Sequence, residues 1–404
     1  MVVIRKQKTL KYTNRKAILE ILRCSGEMSI AELSKKAKLS KTTLMKIMNY
    51  YIKKGLVINV GKGRSTEEGG KRPNIYKFNV EGRCAIGMGI LANSLIAIVT
   101  NLDGRILKKI KLDLDEDEKF DSVLKKIIRS YEKLANEAVI DRSKIIGFAL
   151  GTYGITNFEE GLIILSPHFS SWGENIPTKE KILEKLSDKI PVYIDNSNRF
   201  QAFAEITRGI ARDRTDIIAI KAGKGMGSGV IMENRIKRGG HFIFGEVGHM
   251  MINPKGEEIC SCGARGCFES MVSAGRITKM AIDYHNNYPD SLIFKDKEPE
   301  DIDVFDIFEA SRRSDALALE VLDDVTDWFA IGISNIILLY DPQLVVIQGI
   351  YTKAGEYFLK ELRRKVNEIS LPKIKKESEI EFSRLGEEVG ALGAASYVIS
   401  EYFN

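Results

Sequence analysis

The chain has 404 residues, of which 44% are hydrophobic and 29% charged, enough to bury a large core and to divide into two or three domains. No apolar run approaches the length of a bilayer span, and Met1–Lys8 lacks the sustained apolar stretch of a signal peptide, so a cytoplasmic protein with no membrane segment is expected. The net charge of +6 conceals a division: residues 1–80 carry 19 Lys and Arg against 5 Asp and Glu, whereas the remainder carries 42 against 50. Scattered lysines would serve solubility; a basic block on an acidic body points to a polyanionic partner for the first domain.

Within residues 1–80 the pattern predicts three helices and a hairpin. Thr13–Cys24 places Ala17, Ile18, Ile21 and Leu22 on one helical face. Ser29 followed by Glu32 reads as a capping box for a short second helix ending near Lys38 and Leu39. Ser40 caps a third helix from Lys41, with Leu44, Ile47, Met48 and Tyr51 inward and Gly55 as its stop. Strands at 56–60 and 74–78 flank a glycine-rich basic loop. Helix, short helix, turn, helix and basic hairpin is the layout of a winged helix-turn-helix. Ser40, Lys41, Thr42, Thr43 and Lys46 lie where a recognition helix meets base edges, and Arg64, Lys71 and Arg72 of the wing suit a narrow minor groove. Small helical domains also bind proteins; the charge and the wing favour double-stranded DNA.

From Arg83 the pattern turns to α/β. A strand hairpin at 85–90 and 95–104, a long helix at about 117–139 and a buried strand at 145–150 are followed by a second set at 217–221, 225–232 and 344–348. Two strand-rich halves with helices between them predict two lobes around a cleft. Residues 249–267 then gather His249, Cys260, Cys262 and Cys267, three of the five cysteines in the chain. Thiolates with an imidazole are the ligand set zinc prefers, and four close a tetrahedral shell, so a structural rather than catalytic ion is expected. A disulfide is the competing reading, but Cys260 and Cys262 are too close in sequence to bridge comfortably.

The motifs Gly225-x-Gly-x-Gly229, Gly245-Glu-Val-Gly-His249, Cys260-x-Cys-Gly-x-x-Gly-Cys-Phe-Glu269, Asp341-Pro-x-Leu-Val-Val and Gly390-Ala-Leu-Gly-Ala-Ala together resemble the ROK family of repressors and sugar kinases. The resemblance spans essentially the whole chain and includes the winged helix of the family's repressor branch, the xylose-repressor type. It implies an actin-like body of two ribonuclease-H-like lobes, with zinc on His249, Cys260, Cys262 and Cys267. It also implies a carbohydrate held by Asn196, Glu246, His249 and Glu269. The expected division is a winged helix over 1–80 and a sugar-binding domain over 81–404, with lobes at about 83–196 and 197–385 and a terminal helix at 388–402.

The chain departs from the kinase pattern at two places. Met88–Asn93 stands where the family's kinases carry an Asp-Gly-Gly-Thr phosphate loop, putting Ile90 and Leu91 where a phosphate should approach. Ser197 of Asp195-Asn-Ser-Asn-Arg199 stands at the general base, with Arg199 adding positive charge. A serine hydroxyl has no useful basicity at neutral pH. The expected function is therefore a sugar-responsive repressor with no catalytic residues, acting as a homodimer or higher oligomer on a palindromic operator. The alternative is an ATP-dependent sugar kinase with an accessory DNA-binding domain.

Overall fold

The computed structural model describes residues 3–63, 72–137, 140–295, 297–369, 371, 373 and 377–403, with the side chains of 3–12 outside that description. Arg64 and Lys71 of the wing therefore lie outside the described residues.

The N-terminal unit comprises α1 (Val3–Ser25), β1 (Met28–Ser29), α2 (Ile30–Ala37), α3 (Lys41–Lys53), β2 (Val57–Lys62) and β3 (Asn74–Phe78). Both halves of the capping box form: Glu32 N–H donates to Ser29 Oγ at 3.2 Å, and Ser29 N–H to the Glu32 carboxylate at 2.7 Å. Lys38 takes the left-handed conformation that ends α2 and turns the chain into α3. Leu33, Leu44, Ile47, Met48 and Tyr51 are buried in one core with Ile18, Leu19 and Leu22 of α1, so the helical spacing read from sequence is the spacing that packs.

The body contains two five-stranded sheets of one topology and a small three-stranded sheet. The first is built from β4 (Cys84–Ile90), β5 (Ser94–Asn101), β6 (Ile106–Asp113), β7 (Ile145–Thr152) and, after the strands β8 (Ile155–Asn157), β9 (Leu162–Leu165) and β10 (Glu174–Ile176) of the small sheet, ordered β10-β9-β8, β11 (Val192–Asn196). The second uses β12 (Ile217–Ala222), β13 (Met226–Met232), β14 (Arg235–Ile236), β15 (Leu344–Gly349) and β16 (Glu379–Phe382). In each, three antiparallel strands form a meander and two parallel strands extend it from the meander's first strand, giving orders β6-β5-β4-β7-β11 and β14-β13-β12-β15-β16. The repeated order is the basis of the two lobes.

Helices cover both sheets: α4 (Phe120–Ala135), α5 (Thr178–Leu183) and α6 (Ser197–Thr207) in the first half, α7 (Phe268–Val272), α8 (Ala274–Tyr284), α9 (Val304–Arg312), α10 (Ala316–Tyr340) and α11 (Glu356–Glu368) in the second. The last, α12 (Val389–Phe403), returns to the first sheet and lies along β4, β7 and α6. Strand alternation decides what faces what. Ile86, Met88 and Ile90 enter the core under α4, whereas Gly87 and Gly89 face α12, where a Cβ on Gly87 would lie 2.1 Å from Ala391 O. Ile90 is thus a core residue and does not occupy phosphate space, which corrects the sequence reading; Gly89 and Leu91 are the residues on the other face. The winged helix rests on the body through the core on this other face, around α12, and Phe78 meets Phe403 edge-on at 6.2 Å between centroids.

Candidate functional site

Two sites meet at the edge of the second lobe. The metal cluster begins on a short helical turn, Val247–His249, and ends at Cys267, the N-cap of α7. Between them the chain doubles back through isolated bridges Met251↔Cys267 and Ile259↔Arg265. Gly266, at φ +67°, is needed there: a Cβ would fall 1.7 Å from Asn253 O. The ligand atoms of His249, Cys260, Cys262 and Cys267 all lie within 4.8 Å of one another. Metal–sulfur bonds of about 2.3 Å and metal–nitrogen bonds of about 2.0–2.1 Å imply tetrahedral edges of about 3.8 Å between sulfurs and about 3.6 Å from sulfur to nitrogen. Cys262 Sγ to Cys267 Sγ is 3.8 Å and Cys260 Sγ to His249 Nδ1 is 3.5 Å. The four residues therefore fit a tetrahedral ion, with Nδ1 as the histidine ligand. Burial pushes the Cys260 thiol up, and the Glu269 carboxylate beside it adds to this; a bound dication would reverse both effects.

Glu269 ties this loop to the cleft. It is buried in α7, where Oε2 accepts from Met226 N–H at 2.7 Å and Oε1 accepts from Cys260 Sγ at 3.3 Å and from Ser261 Oγ. Asn196, buried at the N-cap of α6, is likewise engaged: Nδ2 donates to Gly154 O at 2.7 Å and Oδ1 accepts from Asn198 N–H at 2.8 Å. Glu246 differs. It is half-buried, no hydrogen bond to its carboxylate is found among the described residues, and burial raises its pKa, with Glu269 adding and Arg199 and His249 opposing. Of the four residues expected to hold a sugar, Glu246, His249 and Glu269 are brought together. Glu246 alone presents a desolvated carboxylate without a protein partner.

Several residues of the cleft were missed by sequence reasoning. Asp195, fully buried at the end of β11, receives Arg199 Nη1 at 3.0 Å and Arg238 Nε at 2.8 Å, the latter from beyond β14 in the other lobe. Arg199 is itself buried and donates to Phe242 O. Its charge is therefore compensated inside the protein rather than added to the cleft, which corrects the expectation for it. Across the cleft mouth Glu116 pairs with Lys224, and Tyr153 packs on His168 at 5.1 Å between ring centroids. Asp195 sits in the motif already singled out, so an acid four residues before an arginine was the available signal; Arg238, Lys224 and Tyr153 carried none.

On α3, Lys41, Thr42 and Lys46 are exposed. Ser40 Oγ accepts from Thr43 N–H at 3.2 Å and shares a 2.9 Å hydrogen bond with Thr43 Oγ1, so these two hydroxyls cap the helix. Arg72, at the base of the wing, is exposed.

The arrangement has known counterparts. Residues 13–58 match the winged helix-turn-helix DNA-binding family and residues 84–401 match the ROK family. The xylose repressor of Caldicellulosiruptor bescii is 27% identical over 392 residues, 97% of this chain and 96% of that protein. The glucokinase of Thermotoga maritima is 29% identical over 314 residues, covering 78% of this chain and 96% of the enzyme. A crystallised ROK family transcriptional regulator, a homologue of the Escherichia coli MLC protein, superposes with a TM-score of 0.82 at 23% identity, covering 98% of this chain and 97% of the other. A winged helix followed by duplicated sheets of actin-like topology, with a ROK match over 84–401, makes this chain a member of the ROK family.

Proposed function

We propose that the protein is a sugar-responsive transcriptional repressor that binds operator DNA through its winged helix and does not phosphorylate its effector. The observation that carries this reading is the extent of the likeness: similarity to a xylose repressor runs through winged helix and body alike, whereas similarity to a glucokinase covers the body's share of the chain. A neutral sugar, with D-xylose the first candidate, would place its hydroxyls against Glu246, His249 Nε2, Asn196 and Glu269, and Tyr153 offers an aromatic face at the cleft.

The packing supports loss of phosphoryl transfer. Residues 91–93 form a closed turn in which Leu91 N–H donates to Ser94 O at 2.8 Å, so that amide is not free to cradle a phosphate. Ser197 is buried against two glycines: a Cβ on Gly390 would lie 2.8 Å from its Oγ, and one on Gly151 would lie 3.3 Å from it. Three of the glycines that resemble a nucleotide site also have a packing role, which accounts for them without a nucleotide. A Cβ on Gly227 would stand 2.0 Å from Asn198 Nδ2, on Gly229 2.4 Å from Asn198 O, and on Gly393 1.7 Å from Phe200 O. All three make room for α6.

A zinc ion on His249, Cys260, Cys262 and Cys267 would be structural: when bound it supplies four fixed bonds and leaves no open position. His249 would be oriented by its Nδ1 bond so that Nε2 faces the cleft. No helix among the described residues is long and apolar enough to cross a membrane, and with DNA as partner the protein would act in the cytoplasm. Two winged helices in a homodimer would read a palindrome with half-sites about one helical turn, or a multiple of it, apart.

The test selects duplex DNA from a random library and measures its affinity with and without sugars. A palindromic consensus released by one sugar class is expected, with Lys41→Ala relaxing sequence preference and Arg72→Ala weakening binding uniformly. ATP-dependent phosphorylation of a sugar at about 1–100 per second would overturn the reading.

A further inference from the structure

A large cavity lies outside the cleft. It is a groove of about 780 Å³ between the winged helix and the body, walled by α1 and the end of α3 on one side and by the ends of α6 and α12 on the other. Its lining contains six cations, Arg15, Lys16, Arg23, Lys54, Arg208 and Arg212, and one acid, Glu20. That acid already pairs with Arg23 at 3.1 Å.

Two of the guanidinium groups are under-compensated. Arg208 reaches Asp103 at 3.5 Å and Leu102 O at 3.4 Å, both long contacts, and its Nε is buried without a hydrogen-bond partner among the described residues. Burial lowers its pKa, and the neighbouring charges of Arg23 and Arg212 add to this against the opposing Asp103. Arg15 stacks over the Tyr50 ring at 3.6 Å, and its Nε is also buried with no hydrogen-bond partner among the described residues. Unsatisfied buried donors on charged groups are costly, and native proteins rarely keep them without a reason. An anion seated in the groove would supply the missing acceptors and charge.

We infer that this groove is a binding site for a small phosphate-bearing anion, distinct from the sugar cleft and bridging the DNA-binding domain to the body. Phosphate matches the planar fork of arginine, which donates two parallel hydrogen bonds to neighbouring oxygens. Tyr50 and Phe403 line the same groove and would accept an apolar ester group. Operator DNA is not the natural occupant. Lys54 and Lys41 stand at opposite ends of α3, about 20 Å apart along its axis, and the recognition surface is at the Lys41 end. Because both domains supply ligands, an occupant would favour the interdomain arrangement in which they converge, and it shifts that balance only by its preference for it.

The test is calorimetric titration of the full-length protein, at constant ionic strength, with inorganic phosphate, phenyl phosphate and malonate. Saturable binding of a phosphate at one site per chain is expected, with malonate at least about tenfold weaker, a gap of about 1.4 kcal/mol. Equal affinity for the two phosphates assigns the inorganic ion; tighter phenyl phosphate assigns an ester. Lys54 and Arg212 are exposed, so Lys54→Glu and Arg212→Glu should leave the unliganded melting temperature unchanged while weakening phosphate binding about tenfold or more. Absence of saturable binding at millimolar phosphate, equal binding of malonate, affinity unaltered by both variants, or displacement by duplex DNA would each overturn the assignment.

Discussion

The metal cluster and the interlobe cleft adjoin one another yet are built in opposite ways. All four cluster ligands come from residues 249–267, and two isolated bridges, a helical turn and two left-handed glycines, Gly263 and Gly266, suffice to converge them. The cleft draws Glu116 from the β6–α4 connection, Tyr153 from beyond β7, Asp195 from β11, Lys224 from the β12–β13 turn and Arg238 from beyond β14. A local site is specified by short-range chain geometry and stays whole if the lobes shift. A distributed site exists only when the lobes stand in one relation, and it is the kind a ligand can use to select between arrangements. Glu269 couples the two, since one carboxylate holds both the cluster loop and the first residue of β13.

The largest effect should come from the cleft. Asp195 compensates two arginines, one from its own helix junction and one from the other lobe, in a setting where it is fully buried. Asp195→Ala leaves both cations without their partner, and breaking a buried pair in this way costs about 3–5 kcal/mol. Urea denaturation reads this directly; a loss below about 1 kcal/mol would mean that the lobes are held together elsewhere.

Next is the cluster. Cys262→Ser removes one of four ligands and should lower zinc affinity tenfold or more, about 1.4 kcal/mol, with chelation of the unmodified protein lowering its melting temperature in parallel. Metal retained at full stoichiometry and affinity in the variant would break the ligand assignment, and with it the contrast between a local and a distributed site.

The same contrast governs what could be read from the sequence. The capping box at Ser29 and Glu32, the recognition helix from Lys41 and the spacing of Leu44, Ile47, Met48 and Tyr51 are short-range patterns, and each formed as the periodicity predicts. The helix expected at 117–139 is shorter, Phe120–Ala135, because helix ends depend on local caps more than on the apolar stripe. Arg199 was misread although its counterion Asp195 lies four residues before it; what the sequence hides is the burial of that pair and the second arginine, Arg238, that the tertiary fold brings to the same carboxylate. Ile90 was misplaced by one strand face, an error that alternation makes total: a residue is either under α4 or against α12. The interdomain groove is invisible to pattern reading because its walls come from three distant stretches of the chain, within residues 15–56, 206–212 and 396–403.

A smaller effect tests a local feature far from either site. Ser29→Ala deletes the N-cap of α2 and should cost about 1 kcal/mol, within the range of about 0.5–2 for such caps. The loss belongs to the winged helix, so operator affinity should fall while sugar binding in the body stays as it was. Equal damage to both would show that the winged helix and body unfold as one unit.

The smallest expected change carries the most information about the cleft. Glu246 has its pKa raised from 4.5, first by burial and further by Glu269, against the opposing charges of Arg199 and His249. A folded pKa above the unfolded one means that the native state holds this proton more tightly. Its contribution to stability is therefore fully present below the unfolded value and is lost as pH rises through the folded one. At neutral pH the carboxylate is a burden on the fold. Glu246→Gln should accordingly raise stability by a fraction of a kcal/mol at pH 7, with the gain shrinking as pH falls towards 4.5. Sugar affinity should move the other way, since a neutral amide oxygen accepts more weakly than a carboxylate. Thermal melts across pH, paired with sugar titrations, separate the cases. A residue kept for its ligand shows stability and binding changing in opposite senses; a variant less stable at pH 7, with binding intact, would make Glu246 a structural acid and leave the sugar to other groups.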